Sequence, residues 1–385
     1  MKRAVRCFLV TLAFMSLASC AIPSPSSDTL KIGVNLELSG PLSFIAQDQL
    51  RAIEMATAEI NAQGGVLGKP IELVVYDNAT DITTSEDNTR KLITQDSVVA
   101  IIGASTSAQS FPIAELAKQY QVVGITPTGA NASLTHDNGA SNPWYFRAII
   151  LNNFQGRILA NFAVKNLQAP RAFVVGTRAN DLAQDVATTF DAYYQGLGGT
   201  LVGFESYDDD AEFDELVERL RLKDAFDVLL IVDFAERSGY LIEQLRQAGF
   251  DQPILGTELW GGLPELMLSV QDPRFIRDVY FTSHFSESNP QPNHQVFDQN
   301  YRAFSGKTPE FTSALAYDAF MILIDAIERA GSSNRSAIRD ALAATRAFEG
   351  ITGTWSFDAN NNPMKSTLVV EVQNGASVSA IFIEP

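Results

Sequence analysis

The chain has 385 residues, of which 46% are hydrophobic and 19% charged, and its formal net charge is −17. That length exceeds one small core and predicts two domains, while the apolar content is ordinary for a folded protein. So acidic a body is a poor partner for nucleic acid or for anionic lipid surfaces.

The first residues read as an export signal rather than as fold. Lys2, Arg3 and Arg6 precede a short apolar stretch, Cys7 to Met15, that ends in Ser-Leu-Ala-Ser-Cys20. A spanning helix needs about 20 apolar residues, and this stretch is too short. Leu17-Ala18-Ser19-Cys20 resembles the bacterial lipobox, so Cys20 is expected to carry lipid as the first mature residue. Removing residues 1–19 takes away the three basic side chains and moves the net charge from −17 to −20. The only other cysteine, Cys7, lies inside the signal, which leaves the mature chain no internal disulfide. Residues 21–28, AIPSPSSD, form a Pro/Ser tether that holds the body on the order of 25 Å from the bilayer.

From residue 30 onward strands and helices alternate. Residues 30–36 predict a strand; Leu50, Ile53, Ala56 or Thr57, and Ile60 then share one face of a helix that Gly64-Gly65 stops. Strand 71–76, helix 83–95, strand 98–102, a turn at 103–112, a helix to about Tyr120 and strand 122–125 follow. A second series starts after residue 150: helix 151–168, strand 171–175, helix 182–197, strand 200–205, helix 212–222, strand 227–232 and helix 236–248. Helices at 291–304, 311–330 and 334–344 precede a β-rich end at 354–357 and 366–372. Such alternation implies right-handed βαβ units and parallel sheets, with a cleft between two α/β domains.

The turn GASTSAQSFP at 103–112 offers either a nucleophile or an anion cradle. A hydrolase elbow needs G-x-S-x-G, but Ser107 stands where the second glycine belongs. His136, His284 and His294 fall in no recognisable base motif, so the chain is read as a binding protein and not an enzyme. There is no His/Cys cluster, and the acidic run YDDDAEFD at 207–214 lacks the glycine and spacing of a calcium loop. Those carboxylates suit the start of the helix at 212, where the dipole favours them. No phosphate-binding or dinucleotide fingerprint occurs, and no cofactor is expected.

Several segments together carry a family resemblance: IGVNLELSGP (32–41), INAQGGVLGK (60–69), VYDN (75–78), Ile102-Gly103 with Ser107 and Pro112, ITP (125–127) and AYDA (316–319). They resemble the periplasmic leucine/isoleucine/valine-binding family, the substrate-binding proteins of ABC importers, from residue 29 to the C-terminus. The resemblance implies a type I periplasmic-binding fold, two Rossmann-like α/β lobes with parallel sheets joined by three crossover strands near residues 148, 281 and 352. Lobe 1 would then be 29–148 plus 281–351, and lobe 2 would be 149–280 plus 352–385.

Carried over position by position, the family's site falls on Ser107 for a ligand carboxylate, the backbone carbonyl of Thr128 for an ammonium, and Glu258 as the acid that pairs with that ammonium. Four positions depart from the branched-chain pattern: Ala130 replaces a threonine, and Ile45, Asp181 and Phe234 replace tyrosines. Phe44, Phe234 and Trp260 would supply an aromatic wall for a different ligand. The function implied is a lipid-anchored, extracytoplasmic, monomeric receptor that passes a small amino acid or related amide to an ABC permease. The alternative is a non-transport outer-membrane lipoprotein of the same fold that binds a protein partner such as a cell-wall synthase, and Ala21 after the lipid cysteine suits that membrane.

Overall fold

The computed structural model describes residues 29–383 apart from 42, 138, 178–180 and 262, so Cys20 and the tether lie outside the described residues. The chain opens with β1 (Leu30–Leu36), α1 (Ser43–Ala62), β2 (Ile71–Asp77), α2 (Ile82–Thr94), β3 (Ala100–Gly103), α3 (Ser107–Tyr120) and β4 (Val123–Thr126). A small hairpin, β5 (His136–Asp137) and β6 (Ala140–Ser141), leads to β7 (Tyr145–Arg147). These strands form an all-parallel sheet in the order β2-β1-β3-β4-β7, with β5 and β6 paired apart from it. Every residue of β3 and β4 is buried, as expected of strands covered by helices on both faces. Along α1 the buried positions Ala46, Gln49, Ala52, Ile53 and Ala56 recur at three- and four-residue spacing, and that stripe faces the sheet's core.

The second lobe is built from α4 (Asn152–Lys165), β8 (Arg171–Thr177), α5 (Asp181–Gly196), β9 (Thr200–Tyr207), α6 (Phe213–Arg221), β10 (Val228–Val232), α7 (Ala235–Gln247), β11 (Ile254–Gly256), α8 (Leu263–Met267) and β12 (Val279–Ser283). Then come α9 (Pro292–Ser305), α10 (Phe311–Ala330), α11 (Arg335–Ala343), β13 (Phe348–Gly350), β14 (Gly353–Phe357), β15 (Pro363–Lys365), β16 (Thr367–Gln373) and β17 (Ala376–Ile383). The second sheet runs β17-β16-β12-β11-β10-β8-β9, parallel from β9 to β12 and antiparallel at β16 and β17. Alternate residues of its strands feed two cores: Phe173, Val175, Leu229 and Ile231 on one face, Ala172, Val174, Val228 and Leu230 on the other.

The chain crosses between lobes three times, and two crossings fall later than expected. Strand β12 pairs with β11 through Phe281 and with β16 through Ser283, so the second crossing lies at about residue 284 instead of 281. The β13-β14-β15 sheet belongs to lobe 1, because Trp355 and Phe357 are buried in its core and the Phe357 ring meets Phe146 edge-on at 5.2 Å. The third crossing is therefore at about residue 366 and not 352. The acidic run at 207–214 is spent on capping: Asp209 accepts from Ala211 N at 2.9 Å, and Asp214 and Glu215 occupy the first turn of α6.

In both sheets the strand order reverses, between β1 and β3 in lobe 1 and between β8 and β10 in lobe 2. Open α/β sheets bind ligands outside the carboxyl ends of strands at such switch points. Trp355→Ala should cost about 3–5 kcal/mol of stability if the β13–β15 sheet is part of the lobe 1 core; a loss below about 1 kcal/mol by chemical denaturation would contradict that placement.

Candidate functional site

Lobe 1 presents the segment from Gly103 to Ser107, between β3 and α3. Gly103 has φ +140°, and a Cβ there would lie 2.0 Å from the Asn35 carbonyl oxygen of β1, so only glycine lets the two strand ends meet. The Tyr145 hydroxyl donates to the Gly103 carbonyl at 2.6 Å and ties the turn to β7. Just beyond β1, the buried Glu37 carboxylate accepts from Ser105 N at 2.9 Å, Thr106 N at 3.0 Å and the Thr106 hydroxyl at 2.9 Å.

A closed ring of hydrogen bonds fixes the neighbouring residues. The Ser105 hydroxyl donates to Gln49 Oε1 at 2.8 Å, Gln49 Nε2 donates to Thr128 Oγ1 at 2.9 Å, and the Thr128 hydroxyl donates back to the Ser105 carbonyl at 2.5 Å. Ser105, which occupies the would-be nucleophile's position, is thus a buried strut. Arg147, also buried, donates to the carbonyls of Gly129 at 3.0 Å and Asn131 at 2.8 Å and holds the loop after β4 in place.

What this scaffold leaves available is the start of α3. Ser107 is its first residue and is half-buried, and its Oγ accepts from Asn131 N at 3.1 Å, which leaves its own proton to give. The N–H groups of Ser107, Ala108 and Gln109 have no acceptor in the helix, as at any helix start. Hydroxyl, N–H groups and dipole together form an anion cradle. Among the described residues, no hydrogen bond reaches the Thr128 carbonyl.

The facing lobe contributes Glu258, at the first position of a 3-10 turn after β11 that Thr257 caps. Its N–H donates to Gln155 Oε1 at 2.9 Å, and the Thr282 hydroxyl donates to the same oxygen at 2.9 Å. The Glu258 side chain is nearly sealed, with Oε2 2.7 Å from Nε2 of the fully buried His284, close but off the line of a full hydrogen bond. Burial pushes the Glu258 carboxyl up to about 8, with the positive charge of Lys365 pulling the other way. Burial and the same lysine drive the His284 imidazole well below its ordinary value, so it is neutral. Lys365 is itself pushed down by burial, against the opposing pull of Asp318 and Glu258. Its Nζ donates to Thr352 Oγ1 at 2.6 Å and lies 4.2 Å from the centre of the Trp355 ring.

Ser107, Thr128 and Ala130 gather at one lip of lobe 1, and Ala130 packs on that lobe's core. Glu258 stands in the other lobe, and no hydrogen bond or ion pair among the described residues joins it to Ser107 or Thr128. Phe44, in the first turn of α1, is 65% exposed, and Phe234, the N-cap of α7, is 56% exposed. Both follow the carboxyl ends of switch-point strands. Trp260 lies wholly inside lobe 2, its Nε1 donating to Ser238 Oγ at 2.8 Å and its ring 5.8 Å from that of Phe281, so it forms no part of an exposed wall. Asp181 is the first residue of α5, and its side chain lies outside the described residues.

Sequence reasoning missed Glu37, Gln49, His284 and Lys365. Glu37 had a signal, a charge set directly after an apolar strand; Lys365 had none. A separate cavity of about 520 Å³ lies between Leu263, Met267, Phe281, Phe285 and Phe311, and none of the expected ligand contacts lines it.

A family model described as periplasmic binding protein matches residues 29–376. A leucine-, isoleucine-, valine-, threonine- and alanine-binding protein of Pseudomonas aeruginosa is 25% identical over 368 residues, covering 93% of each chain. The branched-chain amino acid transporter substrate-binding protein LivJ of Streptococcus pneumoniae, solved with isoleucine, is 30% identical with a TM-score of 0.74, covering 93% of this chain and all of that one (100%). A solute-binding protein of Rhodopseudomonas palustris solved with benzoate shares the fold at 18% identity, with a TM-score of 0.70 over 93% of this chain and 98% of that one.

Glu37→Ala would leave Ser105 N and Thr106 N without an acceptor in a buried turn, at a cost of about 1–3 kcal/mol. Urea unfolding should register that loss, and an unchanged midpoint would mean that the carboxylate does not brace the turn.

Proposed function

Since the chain belongs to the periplasmic binding protein family, we propose that it captures a small amino acid or a related amide between its lobes and hands it to an ABC permease. What supports this is a pair of opposite chemistries beyond strand carboxyl ends, Ser107 after β3 at the lobe 1 switch point and Glu258 after β11, one strand beyond the lobe 2 switch point. A helix start with a free hydroxyl proton at Ser107 faces a cleft whose other lobe holds the Glu258 carboxylate. The ligand's carboxylate or amide oxygen takes the N–H groups and hydroxyl of Ser107, and its ammonium takes the Thr128 carbonyl and Glu258. Both contacts are charge-assisted, and they strengthen as closing lobes expel water.

The ligand's body meets positions that differ from the branched-chain pattern. Ala130, Ile45 and Phe234 offer no hydroxyl, while Phe44 and Phe234 expose rings at the cleft rim that closure covers. An apolar or aromatic side chain fits such a rim better than a polar one. The basic, apolar leader ending at Cys20 and the Pro/Ser tether after it support an extracytoplasmic receptor held to the membrane by lipid.

Thermal unfolding of residues 21–385 against amino acids, amides and small carboxylic acids tests the proposal. A true ligand at about 100 times its dissociation constant adds roughly 2.7 kcal/mol. Silence across the panel, with a clean unfolding transition, would defeat the receptor assignment. With a ligand in hand, Ser107→Ala and Glu258→Gln should each weaken binding by at least about 1.5 kcal/mol, and full affinity in both variants would refute the assigned clamp.

A further inference from the structure

The Glu258 end of the cleft carries more titratable groups than a carboxylate clamp uses. Four buried side chains from four segments converge there: Glu258 after β11, His284 after β12, Lys365 at the end of β15 and Asp318 on α10. Gln155 on α4 also faces Glu258, through its backbone N–H, and brings no charge. With His284 neutral, two carboxylates confront a single lysine that burial itself pushes down to about 7, and the cluster is short of positive charge.

A net charge in so dry a place is costly. The Asp318 carboxylate is well answered: it accepts from Ile351 N at 2.8 Å, Thr352 N at 2.8 Å and the Thr352 hydroxyl at 2.6 Å, and that hydroxyl is also the acceptor for Lys365. Glu258 has nothing comparable, since its Oε2 has only the misaligned contact with His284. At 2.7 Å a carboxylate oxygen and an imidazole nitrogen cannot face each other with two lone pairs, and neutral His284 can fill that gap with its own Nε2–H; what favours a further proton on Glu258 is that its sealed carboxylate has no other donor among the described residues.

We propose that this cluster holds one exchangeable proton at Glu258 while the cleft is empty and releases it when a ligand's ammonium docks there. This rests on the clamp assigned above. In the exchange the Glu258 O–H bond breaks, its electron pair stays on the carboxylate, and the proton leaves to water or buffer. The ammonium then donates to that carboxylate, no covalent bond to the ligand forms, and the cluster together with the docked ammonium carries the net charge that the empty cluster had.

The sign of the pH dependence follows. Below about 8, where burial places the Glu258 carboxyl, a proton must depart before the ammonium is accepted. Affinity for an ammonium ligand therefore rises with pH, by up to about tenfold per unit, and levels off above that value. A purely structural glutamate would give no such slope.

Two measurements on the mature chain test the proposal. Calorimetric titration with L-isoleucine, L-leucine and L-alanine near pH 7, in phosphate and in Tris, should give heats that differ by the release of about one proton per ligand bound. Equal observed heats in the two buffers, which mean that no proton is released, overturn the proposal. Without any ligand, infrared difference spectra between pH 6 and 9 should show a protonated carboxyl that shifts on ¹³C-glutamate labelling and vanishes in Glu258→Gln. The labelling arm needs no variant, so a variant that fails to fold does not block the test. Absence of that band overturns the proposal whatever binds. A band with no binding across the whole ligand panel keeps the held proton but removes the exchange together with the clamp.

Discussion

A carboxylate sealed inside a protein has to be answered by donors, and Asp318 shows how far that requirement reaches. It sits on α10, the most thoroughly buried helix of lobe 1, and its two oxygens take the N–H groups of Ile351 and Thr352 and the Thr352 hydroxyl. Those bonds pin the turn between β13 and β14 against α10 of lobe 1. Gly350 is part of the same constraint, because a Cβ there would stand 2.7 Å from the Asp318 carboxylate. With the sheet pinned, Lys365 at its far end is delivered to the crossing and can reach Thr352 while lying over the Trp355 ring. One buried charge thus organises the third crossing, and through Lys365 it sets the electrostatics felt by Glu258.

The regular elements were legible because their signals are local. Helix 311–330 reads as it stands in the structure, and helices such as 335–343 and 292–305 differ from expectation by a residue at each end. Strand β11 escaped the periodicity of the sequence, and β12 entered only as the crossover near residue 281 that the family resemblance implies. Each is short, and the three residues Ile254–Gly256 give no periodicity to find; they become strands through pairing with β10 and with each other. The crossings moved for a related reason. Whether residues 348–365 belong to one lobe or the other depends on Phe357, edge-on to Trp355, meeting Phe146 more than two hundred positions earlier, and no window of sequence contains that contact.

The site divides in the same way. Ser107, Thr128 and Glu258 are carried over from the family resemblance, and each lies beyond the carboxyl end of a strand, β3, β4 and β11. The residues that make those positions usable were not reachable. Glu37 braces a turn 68 residues away, Gln49 bridges to Thr128 over 79, and the contact of Glu258 with His284 depends on β11 and β12 being neighbours. Trp260 illustrates the converse error: an aromatic two positions from a site residue was taken for a wall. The Cβ-less Gly256 instead lets its ring fold under β11, where any added Cβ would lie 2.2 Å from it.

The two ends of the proposed clamp differ in kind. At the Ser107 end the partners are N–H dipoles and a hydroxyl, held by the Ser105–Gln49–Thr128 ring and by Glu37, so little needs to rearrange when an anion arrives. Dipoles set in advance bind without reorganisation cost. The Glu258 end cannot be arranged that way, because a bare carboxylate waiting in a dry pocket would be unstable without a cation. In the proposed exchange a proton held at Glu258 removes the charge instead, while His284 stays neutral and Lys365 divides its attraction between Glu258 and Asp318. In this proposed clamp the body of the ligand would lie between a rigid end and an adjustable one. Ala130, Ile45 and Phe234, which the family resemblance sets around it, carry no hydroxyl, so selection among ammonium-bearing ligands would fall to shape and apolar contact rather than to further hydrogen bonds.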